Sequence, residues 1–107
     1  MRYIALGILL LAGQSHAADQ KLMHRILMCE SSFRPDAIGD DGVSRGIAQF
    51  RKETFYEFAE MAQIERIGFG KPRWMNPQQQ IYLLAWGLDH GYGNRWTCYR
   101  KIKKEIK

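Results

Sequence analysis

The 107 residues leave room for one domain at most, with no repeat, low-complexity tract or linker to divide them. A net charge of +5 would ordinarily point to nucleic acid. The start of the chain reads as an export signal, however, and export argues against that partner. Two cysteines make a poor zinc site, since His24 and Cys29 stand five apart and no second pair follows.

Met1 and Arg2 give a positive start, residues 4–12 form an apolar run broken only by Gly7, and Ser15-His16-Ala17 sets small residues at the cleavage positions. This pattern predicts a secretory signal peptide over residues 1–17, with an uncleaved anchor as the alternative. Its apolar stretch is too short to span a bilayer, and no later segment is apolar enough to do so. The expected mature domain is residues 18–107, exported to the periplasm or cell envelope. Loss of Arg2 lowers Lys plus Arg from 16 to 15 against 11 acids, a net of about +4. The excess gathers in Arg95, Arg100, Lys101, Lys103, Lys104 and Lys107. That tail reads as a solvated helix face, with anionic envelope polymers or lipid head groups as its natural partners.

In an oxidising compartment Cys29 and Cys98 are expected to pair, two buried free thiols being the alternative. The bridge would close most of the domain into one loop and contribute roughly 4 kcal/mol in the chain-entropy account.

Asp19 is placed to cap a first helix over residues 20–32, with Leu22, Met23, Ile26 and Leu27 at helical spacing. Pro35 disfavours helix at Arg34. Residues 36–46 are rich in Asp, Gly and Ser and predict a loop or a short irregular hairpin turning at Asp41-Gly42. They are no EF-hand, because Ile38 and Asp41 stand where calcium loops want an oxygen ligand and a glycine. Helical spacing returns over residues 47–64 through Phe50, Phe55, Phe58, Ala59 and Ala62. Residues 65–75 read as a connection. Asn76-Pro77 starts a further helix with Ile81, Leu84, Ala85 and Leu88 on its core side, ended by Gly91 or Gly93. A last helix is predicted over residues 95–107. No segment alternates long enough for a clear strand, so the fold class is mainly α.

Glu30 does not fit the apolar pattern around it. It follows Met23 by seven, Ile26 by four and Leu27 by three, which puts a carboxyl group on the buried stripe. Desolvation and the negative end of the helix both favour its neutral form. A raised carboxyl pKa is what a general acid needs to protonate a glycosidic oxygen. Periodicity alone equally allows a glutamate at the stripe's edge, paired with Arg34.

The surrounding motifs decide for catalysis. Cys29-Glu30-Ser31-Ser32-Phe33-Arg34-Pro35-Asp36-Ala37 resembles the first motif of the lytic transglycosylases with a lysozyme-like soluble-transglycosylase domain. Gly42-Val43-Ser44-Arg45-Gly46-Ile47-Ala48-Gln49-Phe50 resembles their second, Thr54-Phe55 falls where they carry threonine and an aromatic, and Asn76-Pro77 leading to Gln80-Ile81 resembles the third. The ordered set spans about residues 20–98.

The resemblance implies an α+β lysozyme-like fold and cleavage of peptidoglycan glycan strands by one glutamate, Glu30, which protonates the leaving oxygen and then takes the sugar's C6 hydroxyl proton to close a 1,6-anhydro ring. It implies that Ser31 orients Glu30 or substrate and that Gln49 contacts sugar. Ser44 stands in the same motif as a candidate contact, although with Gly46 it suits shaping the loop better. The family's last motif, with a tyrosine beside the glutamate, is absent here. The region instead resembles small members that end in tryptophan-x-cysteine, with Trp86 and Tyr92 as candidates for the missing aromatic. No cofactor or metal is expected. The small size resembles monomeric stand-alone enzymes that open peptidoglycan for secretion, conjugation or pilus machines. Two rivals follow: a goose-lysozyme-like hydrolase using Asp40 or Asp41 as a second carboxylate, and a non-catalytic peptidoglycan-binding component.

Overall fold

The structure, a computed structural model, describes residues 19–105. The signal peptide expected over residues 1–17 lies outside the described residues. What is described is four α-helices and a small three-stranded antiparallel sheet, a mainly helical α+β arrangement.

Helix α1 (Gln20–Ser31) begins where Asp19 accepts a hydrogen bond from the Leu22 N–H, 2.8 Å. It ends at Ser31, one residue earlier than expected, because Ser32 turns left-handed and returns its N–H to Met28. The predicted hairpin is present. Strand β1 (Ile38–Gly39) pairs with β2 (Ser44–Arg45) in the register Ile38 with Arg45 and Gly39 with Ser44. A one-turn 3-10 segment at Asp40–Gly42 makes the corner, and both Asp40 and Asp41 have positive φ.

The helix expected over residues 47–64 is corrected at its start. Gln49 is left-handed at φ 54° and Phe50–Arg51 form β3 on β2, so helix α2 begins only at Lys52 (Lys52–Ala62). Gln80 supplies the physical reason. Fully buried on helix α3 (Pro77–Asp89), it accepts from the Ala48 N–H (2.9 Å) and donates to the carbonyls of Arg45 (3.0 Å) and Trp74 (2.6 Å). Those bonds replace the helical ones that residues 45–48 would otherwise make. Gly46, at φ 93°, leaves the room this needs, since a Cβ there would collide with the Gln80 amide. Gln80→Leu should therefore strand two or three buried polar groups and cost about 3 kcal/mol or more. A urea melt within 1 kcal/mol of wild type would contradict that assignment.

Helix α3 is capped by Asn76, which accepts from the Gln79 N–H (2.9 Å), with Pro77 in its first turn. Its buried side is Leu83, Leu84, Gly87 and Leu88, while the predicted Ile81 and Ala85 are only half-buried. Gly87 sets this phase. A Cβ there would lie 2.7 Å from Phe58, so α2 and α3 meet on the glycine face. The helix stops at Asp89, with Gly91 at φ 88° just beyond. Helix α4 (Thr97–Glu105) starts two residues later than expected, after a short turn at Gly93–Arg95.

The core joins Ile26 and Leu27 of α1, Phe50 of β3, Phe55 and Phe58 of α2, Leu83 and Leu84 of α3, and Trp96 and Ile102. Phe50 is its hub, with Phe55, Phe58 and Trp96 edge-on at 5.7, 5.8 and 5.2 Å. Cys29 and Cys98 are disulfide-bonded, Cα to Cα 6.0 Å, which ties the end of α1 to the start of α4.

Candidate active site

Glu30 sits in the last turn of α1, half-buried beside the disulfide. Because Cys29 is bonded to Cys98, the first turn of α4 lies against the carboxyl group. The Cys98 N–H donates to Glu30 Oε2 at 3.2 Å. That N–H is one of the donors a helix leaves free at its start, so the carboxyl group stands between the unfavourable end of α1 and the favourable end of α4.

The balance leaves the Glu30 pKa raised. Burial is the main cause, and the charge of Asp40 adds to it, against the Cys98 N–H and the more distant Arg100 and Lys101. Arg34 does not pair with Glu30. Its Nε donates to the Ser31 carbonyl at 3.3 Å.

Glu30 opens into a cleft of about 380 Å³ between the sheet, the start of α2 and the start of α4. The sheet side contributes Asp40, Ser44, Gln49, Phe50 and Arg51, with Thr54 from α2. The other wall is Arg95, Trp96, Thr97 and Arg100. Asp40 and Ser44 act as a unit: the Ser44 hydroxyl, itself buried, donates to Asp40 Oδ2 at 2.7 Å. Of the two acids weighed as a second carboxylate, Asp40 lines the cleft and Asp41 does not.

Gln49 also faces the cleft, and its left-handed backbone turns the side chain back over the hairpin. Its Nε2 donates to the carbonyls of Ala37 (3.1 Å) and Gly46 (3.0 Å), which fixes the amide and holds Oε1 against Gly39. Ser31 is elsewhere. Buried, it donates to the Leu27 carbonyl (3.2 Å) and the Ile47 carbonyl (2.7 Å), pinning the end of α1 to the approach of β3.

Trp86 and Tyr92 do not line the cleft either. They stack on one another at 5.8 Å beside Phe58, and Trp86 stacks on His90 at 4.2 Å. Tyr92 reaches the cleft only through Arg95, whose guanidinium lies 5.5 Å above both the Tyr92 and Phe58 rings. Besides Phe50 of the sheet, the aromatic that lines the cleft is Trp96, buried and anchored by its Nε1–H to the Ala48 carbonyl at 2.9 Å. One signal for it stood in the sequence. If Cys98 is bonded to Cys29, residues 96–98 must lie beside Glu30.

Among the described residues no group of His, Cys, Asp and Glu is placed to hold a metal, and no helix is long and apolar enough to cross a membrane. A family model, the transglycosylase SLT domain, matches residues 9–99. The chain belongs to that family. No curated protein and no solved structure matches it. For an SLT domain the substrate is peptidoglycan and the chemistry is cleavage of the transglycosylase type.

Proposed function

We propose that this SLT domain is a peptidoglycan lytic transglycosylase in which Glu30 alone carries the proton transfers between N-acetylmuramic acid and N-acetylglucosamine. The observation that supports it best is a half-buried carboxyl group, pKa raised, facing a cleft and held by one backbone N–H. Protonated Glu30 gives its proton to the glycosidic oxygen as the C1–O bond breaks. The Glu30 carboxylate, stabilised by the Cys98 N–H, then takes the C6 hydroxyl proton while O6 bonds to C1. The products are a 1,6-anhydro end and a free hydroxyl on the departing sugar, and Glu30 is protonated again.

In this reading the fixed amide of Gln49 offers Oε1 to the sugar near the cleaved bond, and Ser44 acts through Asp40. Ser31 positions Glu30 by anchoring the end of its helix. Tyr92 supports Arg95, with Trp86 stacked on Tyr92. The disulfide fits an oxidising compartment, so the leader over residues 1–17 and a periplasmic site belong to the same proposal. A secretion, conjugation or pilus assembly as partner would be excluded by co-purification that returned only monomer and glycan.

One observation favours a second reading, hydrolysis to reducing ends. Asp40 shares the cleft and is oriented by Ser44, as a carboxylate that positions water would be. Asp40→Asn separates the two. A lone-acid enzyme should keep activity within about ten-fold, whereas an enzyme dependent on a second carboxylate should lose about 100-fold or more. The proposal as a whole is tested by adding the protein to purified sacculi. Release of soluble muropeptides is expected, and binding without release would leave only the non-catalytic reading.

A further inference from the structure

Three arginines from separate elements converge on this cleft: Arg51 at the end of β3, Arg95 from the turn before α4, and Arg100 on α4. Cleaving a bond between neutral sugars requires none of them. Two are held in place. Arg95 is bridged to Glu57 Oε1 at 3.3 Å and lies over two aromatic rings. Arg100 donates to the Asn94 carbonyl and to Thr97 Oγ1 (3.1 Å).

These contacts use only part of each guanidinium's donor set. The Arg51 side chain makes no hydrogen bond or ion pair with the described residues and is exposed. The acids on the cleft are Glu30, whose neutral form burial favours, and Asp40, whose Oδ2 is occupied by Ser44. The cleft therefore presents an excess of positive charge with unused planar donors, an arrangement suited to carboxylates. In peptidoglycan the glycan hydroxyls are neutral, and carboxylates belong to the peptide stems.

We propose that Arg51, Arg95 and Arg100 make this cleft selective for glycan whose peptide stems carry free carboxylates. The inference rests on the peptidoglycan reading above and adds which part of the substrate the cleft reads. It predicts that uncharged glycan, or stems whose carboxylates are converted to amides, bind poorly even though the sugar chain is unchanged.

The test uses the full chain carrying Glu30→Gln, expected on that reading to bind without cutting, and two soluble muropeptide oligomers of equal length, one with free stem carboxylates and one with them amidated. Amidation should weaken binding about ten-fold or more, from loss of charge-assisted hydrogen bonds. Adding Arg51→Gln and Arg100→Gln should shrink that ratio to within about three-fold. Equal affinity for the two oligomers overturns the proposal.

Should the double arginine variant fail to fold, salt dependence decides in its place. Binding of the free-carboxylate oligomer should weaken steeply with salt and that of the amidated one should not. Parallel salt dependence would overturn the selectivity. Digestion of sacculi by the wild type, run alongside, reports on the cleavage reading separately. Lack of cleavage there would count against the activity and leave the binding result standing.

Discussion

Glu30→Gln is expected to lower release of soluble muropeptides by about 10³- to 10⁴-fold, the upper range for a lost general acid/base, because in the proposed mechanism one group serves both proton transfers. The amide keeps an oxygen for the Cys98 N–H and adds no bulk, so the fold should survive. Stability should move the other way. In the folded protein the Glu30 pKa lies above its unfolded value, so the native state holds the proton over a window starting at the ordinary glutamate range and extending upward. Wild-type stability should fall as pH rises through that window, where the charged carboxyl group remains half-buried. Glu30→Gln removes this loss and should melt at or above the wild-type temperature at neutral pH, with a flatter pH dependence. Wild-type activity should decline on the alkaline side as Glu30 ionises. A variant that melts well below wild type would make its inactivity uninformative and would contradict the electrostatic account of the site.

Breaking the disulfide should have the largest effect on stability. Cys29 and Cys98 are 69 residues apart in the chain, and opening that loop removes about 4 kcal/mol in the chain-entropy account. For a domain of this size that corresponds to a fall in Tm of about 15 to 30 °C. Besides the packing of Ile102 in the core and the Cys98 N–H on Glu30, the two helices share the Arg25–Glu105 ion pair, largely exposed and worth little. Activity should fall further than unfolding explains, since the bridge also holds the Cys98 N–H on the Glu30 carboxylate. Melting the Cys29→Ser, Cys98→Ser protein beside the wild type, with and without reductant, checks both points. A change in Tm below about 5 °C would show that packing alone holds α4 in place.

These contrasts follow from what local sequence can carry. Asp19 and Asn76-Pro77 determine helix starts through bonds to residues three positions away, and both starts are legible without a structure. The turn at Asp41-Gly42 is equally local. Residues 47–51 are not, because Phe50 suits a helix face and a strand equally well. The choice is made by Gln80, which lies 32 residues beyond Ala48 and takes its N–H.

The site divides in the same way. Glu30 is conspicuous as a carboxyl group on an apolar stripe, and the hairpin side of the cleft follows it closely in the chain. The opposite wall does not. Trp86, Tyr92 and Trp96 are alike in composition and neighbourhood, and which of them meets the cleft depends on the phase that Gly87 and the disulfide impose. Asp40 and Asp41 are likewise indistinguishable until the left-handed turn directs one toward Ser44.

The central claim is that Glu30 passes the C6 hydroxyl proton and so closes a ring, with no water taken up. Mass spectrometry of the glycan ends left after wild-type digestion of purified peptidoglycan tests it most directly. The account predicts 1,6-anhydro ends, one water lighter than reducing ends, as the product from the first turnovers onward. Reducing ends from the outset would contradict it and assign the second step to water held by Asp40.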